Sequence, residues 1–93
     1  MLQTGTTGAQ KNPFVEFERQ VMGKTYTMAL QLQSLVSHLY RGAANPDIGG
    51  MLRSSDKYHR ALLLSLLAWY SEYGENCREF MRIGSSLSSA GVN

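Results

Sequence analysis

Apolar residues return at helical intervals along the first half of the chain. Phe14, Phe17, Val21, Met28, Leu32, Leu35 and Leu39 follow one another at steps of 3, 4 or 7, which places them on one face of a helix. A second line through Val15, Met22, Tyr26, Ala29, Val36 and Tyr40 lies beside it. The apolar face is therefore wider than a coiled-coil seam, and one partner helix would not cover it. Asn12 followed by Pro13 is a helix start, the Asn side chain accepting from a free N–H and the proline needing no donor. Glu16 and Glu18 then sit near the positive helix end. Arg41 and Gly42 are stop signals, so the pattern predicts one helix over 13–41, about 43 Å long.

The stretch 42–50 carries three glycines and Pro46 and reads as a connection. Asn45-Pro46-Asp47 can open a short helical turn, which Gly49 and Gly50 are expected to interrupt at a cost of roughly 1 kcal/mol each. Ser54 or Ser55 followed by Asp56 is a firmer start. From there Leu62, Leu66, Trp69, Tyr73, Cys77 and Phe80 form one line, while Leu63, Leu64 and Leu67 make the opposite side apolar as well. A helix that is hydrophobic all round must be covered all round, and this is the main sequence argument for self-association or a helical partner. Gly74 is expected to kink or end this helix, leaving 75–83 as a short third helix, and Gly84 to end the regular pattern. The predicted fold is all-α: a hairpin of two long helices over 13–84, packed in an oligomer, with a flexible arm over 1–12 and a flexible Ser-rich tail over 85–93.

Composition narrows the picture. The chain has 93 residues, 43% of them hydrophobic and 17% charged, which is far from the composition of a disordered segment. A domain this short buries only about 60 to 65% of its unfolded surface, so assembly would help it. Net charge is +2, mild beside what phosphate backbones reward. Cys77, the single cysteine, has no disulfide partner, and with two distant histidines it makes a poor zinc set. No cofactor is expected. Residues 2–12 lack a positive region and an apolar core, so no signal peptide is read there and the cytoplasm is the default location, signal-independent export remaining open. The most hydrophobic window, 61–70, is half the length needed for a membrane span of about 20 residues.

Candidate chemistry is thin. Asp56 and His59, three apart, share a helix face, and the carboxylate would orient the imidazole. No serine or cysteine is placed beside them to act as a nucleophile, so the plain reading is an exposed ion pair. His38, with Ser34 one turn earlier, reads as a boundary residue, and Cys77 as a small buried hydrophobe. The glycine loop lacks the Gly-Lys-Ser/Thr ending of a phosphate loop. Arg53, Lys57 and Arg60 would make a basic stripe at the start of helix two. Such a stripe is either a solvated face or a contact for an acidic partner, and positive charge there opposes the helix dipole. Arg78 and Arg82 are offset by Glu75 and Glu79. The five tyrosines, with Trp69 beside Tyr70, suit partly wet interfaces as well as a core edge.

A polar arm, two helices about an Asn-Pro turn and a length near 90 resemble, in layout alone, the needle and inner-rod subunits of bacterial type III secretion systems. The resemblance spans 13–83 and involves no shared motif. It implies a subunit that assembles with copies of itself. The functional expectation is a non-enzymatic assembly subunit whose interface draws on Phe17, Val21, Met28, Leu32, Leu35, Leu62, Leu63, Leu66, Leu67, Trp69, Tyr70, Tyr73 and Phe80. Arg53, Lys57 and Arg60 are its basic contact patch. A small helical adaptor or chaperone is the alternative, and a nucleic-acid-binding regulator comes behind both.

Overall fold

A computed structural model describes residues 11–42 and 45–89. Within them every regular element is a helix: α1 (Pro13–Gln20), α2 (Thr27–Arg41), α3 (Ile48–Ser54), α4 (Lys57–Tyr73), a single 3-10 turn (Gly74–Asn76) and α5 (Arg78–Ser89). The two-long-helix hairpin is thus replaced by five helices. The expected arm over 1–10 and the end of the tail, 90–93, lie outside the described residues.

The first correction is at residues 21–26. Asn12 caps α1 as read, its side-chain oxygen accepting from the Phe14 N–H at 2.9 Å, but the helix stops after Gln20 instead of running on to Arg41. Gly23 takes a left-handed conformation at φ 79°, which a residue with a Cβ adopts only at a cost. Gln33, 6% exposed, donates its amide to the Val21 carbonyl at 2.9 Å and to that of Lys24 at 3.0 Å. A buried side chain on α2 thereby satisfies the carbonyls that the broken helix frees. The apolar line had hidden the break, because its one step of 7, from Val21 to Met28, passes over this corner.

The second correction is α3, which runs through Gly49 and Gly50. Asp47 caps it, accepting from the Gly50 N–H at 3.0 Å. A Cβ on Gly50 would fall 2.3 Å from that carboxylate, so the glycine admits the cap. The third correction follows Gly74, where α4 ends as one of the expected outcomes. The next helix is α5, which begins at Arg78 and continues through Gly84 to Ser89, longer than the short helix over 75–83. Cys77 stands at its start and accepts from the Phe80 N–H at 3.4 Å. Gly84 does not break α5: it lies against the Tyr40 ring, whose carbons would be 2.4 Å from an added Cβ. Residues 85–89 of the expected flexible tail are helical, with Leu87 buried and Ser88 accepting from Arg41.

The core lies where α2 packs on α5 and α1 on α4. Phe80 is at its centre, its ring 5.3 Å from Phe14, 5.1 Å from Tyr70 and 6.1 Å from Tyr40, all edge-on, an arrangement that aromatic quadrupoles favour. Among the described residues fifteen apolar side chains, Phe14, Leu32, Met51, Leu63 and Ile83 included, are buried within the single chain. No described helix is long and apolar enough to cross a membrane.

Candidate functional site

The helix read as apolar all round, α4, is covered on one side only among the described residues. Leu62, Leu63 and Leu66 are 6%, 0% and 0% exposed, held under α1 and their neighbours. The opposite side carries Lys57, Ala61, Leu64, Ser65, Ala68 and Glu72, every one exposed. Leu64, at 51%, is the most exposed large apolar residue among those described. This is one face of the helix, since the spacing of three and four returns each residue to the same side.

At its C-terminal end the face opens into a cleft of about 560 Å³ lined by Lys11, Pro13, Ser65, Ala68, Trp69, Glu72 and Tyr73. The Trp69 and Tyr73 rings lie 4.6 Å apart, one turn separated, and tilted by 44°. Lys11 and Glu72 stand in the same cleft, and neither forms an ion pair with another described residue.

The residues assigned to an interface from sequence divide sharply. Phe17, Val21, Leu32, Leu35, Leu62, Leu63, Leu66 and Phe80 belong to the core of the single chain. Met28, Leu67, Trp69 and Tyr70 are half-buried, and Tyr73 is exposed. Ala61, Leu64, Ser65, Ala68 and Glu72 were absent from that assignment. A signal for them existed in the charges: α4 carries Lys57 and Arg60 in its first turn and Glu72 in its last, each at the end its own dipole disfavours.

The basic stripe does not form on one helix. Arg53 ends α3, whereas Lys57 and Arg60 open α4 beyond the extended Ser55. Arg60 is also engaged, donating to the Ser55 carbonyl at 3.1 Å. Arg82 pairs with Glu18 on α1, and Glu79 accepts from Asn12 at 2.9 Å, so these charges also reach out to α1 and its cap.

Asp56 and His59 do meet, with Nδ1 2.5 Å from the carboxylate. A carboxylate only accepts, so Nδ1 carries the proton, and in the neutral ring Nε2 accepts from the Tyr26 hydroxyl at 3.0 Å. Beside them Tyr58 donates to Glu16 at 2.6 Å. Burial, then the Glu16 carboxylate, pushes the Tyr58 phenol up to about 12. The Tyr58 hydrogen bond holds Glu16 below the ordinary carboxyl range, and the His59 hydrogen bond does the same for Asp56. Both ring nitrogens of His59 are thus occupied by the chain itself. The cluster fastens the start of α4 to α1 and to the entry of α2. No three His, Cys, Asp or Glu side chains gather as a metal site among the described residues. Cys77 is buried.

No protein-family model, curated protein or solved structure matches the chain.

Proposed function

We propose that the chain is a non-enzymatic assembly subunit that self-associates through the outer face of α4. The observation that carries this reading is Leu64, half exposed at the middle of a helix face whose other central residues are Ala61, Ser65 and Ala68. The same chain closes a full core around Leu62, Leu63 and Leu66, so leaving this face open is not a shortage of cover. A contiguous apolar strip with charged ends has the make-up of a protein contact: an apolar centre and a polar rim.

A second reading, an adaptor for another protein's segment, draws on the cleft between Lys11 and the Trp69–Tyr73 pair, since Trp and Tyr are common anchors of such contacts. Nucleic acid is less favoured, because Arg53, Lys57 and Arg60 are split between two helices and Arg60 is engaged.

Size exclusion with light scattering over a concentration series tests self-association on the full chain and on Leu64→Glu. The expected result is a mass above the monomer that rises with concentration, and a monomer for the variant with its helical circular dichroism unchanged. A parent chain that stays monomeric throughout overturns self-association and turns the search to the adaptor cleft.

A further inference from the structure

We infer that the outer face of α4 pairs with the same face of a second copy of this chain, antiparallel, about a twofold axis midway between Leu64 and Ser65. This rests on the self-association reading and adds direction, register and a limit on size.

Residue spacing along the face is symmetric about that point, and its end charges are complementary. Reading outward from the axis, Leu64, Ala61 and Lys57 go one way and Ser65, Ala68 and Glu72 the other, at matching intervals of three and four residues. An antiparallel copy therefore sets Lys57 opposite the partner's Glu72 and Ala61 opposite the partner's Ala68. Leu64 meets the partner's Ser65. A twofold axis makes each of these contacts twice. The alanines flank the axis three residues away on either side, where small side chains allow two helices to approach to the short end of the usual 8–10 Å range.

Electrostatics favour the same direction. Lys57 sits at the positive end of α4 and Glu72 at its negative end, so each charge is misplaced in the isolated chain. An antiparallel neighbour brings its negative helix end and its Glu72 to Lys57, relieving both at once. A parallel neighbour does the reverse, laying lysine beside lysine and glutamate beside glutamate. Among the described residues Lys57 and Glu72 are not spent on any ion pair. Because the pairing is face to same face, it uses the surface up and closes at two copies. The assembly is a dimer and not an open filament.

Cysteine cross-linking in the full-length chain reads the register. Ser65→Cys is expected to form a disulfide dimer by itself under mild oxidation. Ala61→Cys and Ala68→Cys alone are not, because each then lies about 10 Å along the helix from its own copy, beyond disulfide reach. The two variants mixed are expected to cross-link to each other. The parent, whose Cys77 is buried, is the control. In sedimentation, Lys57→Glu and Glu72→Lys are each expected to weaken the dimer at least about fivefold, and the double exchange to recover it. Self-cross-linking of Ala61→Cys, or a double exchange no better than either single variant, overturns the antiparallel register while leaving self-association standing. Masses that grow past two copies overturn the closed pair. No cross-link from any of the three sites, in a chain that sediments as a monomer, removes both this inference and the reading beneath it.

Discussion

Two faces of one helix hold leucines of identical chemistry in opposite states. Leu62, Leu63 and Leu66 of α4 are buried, and Leu64 is 51% exposed. Nothing in side-chain hydrophobicity separates them. What separates them is the neighbour: α1 lies over one face, and nothing described lies over the other. The covered face sets whether the chain folds, and the open face is the one proposed to self-associate.

That contrast can be broken most forcefully from the inside. Leu66→Asp buries a charge with no partner and is expected to unfold the chain, since the several kcal/mol involved rival the ~5 kcal/mol margin of a small domain. Leu66→Ala leaves a cavity and costs about 2–5 kcal/mol in urea unfolding. A folded Leu66→Asp with unchanged helicity would put the buried face elsewhere. Next is Gly84→Ala on α5. An added methyl would meet the Tyr40 ring at 2.4 Å, and such overpacking is expected to lower stability by about 1–3 kcal/mol. A neutral result would show that the interior is looser than it is drawn here.

The open face should respond quite differently. Leu64→Ala is expected to change the unfolding free energy of the dilute chain by no more than about 0.5 kcal/mol, as exposed substitutions do, while weakening association. A loss comparable to that of Leu66→Ala would mean that the two faces are not distinct.

The smallest effect is on pH. Glu16 and Asp56 are held below their ordinary values of 4.5 and 3.8 by the Tyr58 and His59 hydrogen bonds. The unfolded chain therefore takes up protons first. Their contribution is complete above those ordinary values and is lost as pH falls through the lower folded ones. Both groups are exposed, so the loss should be slight. The double variant Glu16→Gln, Asp56→Asn is expected to flatten the acid side of a plot of melting temperature against pH, and an unaltered slope would remove this cluster from the fastening of α4.

Much of this fold was legible where a local cap decided it. The Asn12 side chain begins α1, Gly42 ends α2 in a left-handed conformation and Gly74 ends α4, whereas α4 starts after Asp56, later than the expected Ser54 or Ser55 cap and without a side-chain cap hydrogen bond. The Asp56–His59 contact was equally local, a matter of three residues on one helix. What escaped was decided by partners far away in sequence. Gln33 stabilises the corner after α1 from 12 residues away from Val21. Tyr40 makes Gly84 a packing residue instead of a terminator. Tyr26 reaches His59 from 33 residues away. The open face of α4 fell between these cases. Its composition was visible, but a run of leucines alone does not reveal which of them the rest of the chain covers, and so the buried Leu63 and the exposed Leu64 were read alike.

The most direct test of the open face as a self-association surface is the urea midpoint of the parent chain measured across a wide range of protein concentration, beside Leu64→Glu. Association of folded chains stabilises them by mass action. The expected result is a parent midpoint that rises with concentration, and a variant midpoint that stays at the parent's dilute limit. A parent midpoint independent of concentration would contradict self-association through α4.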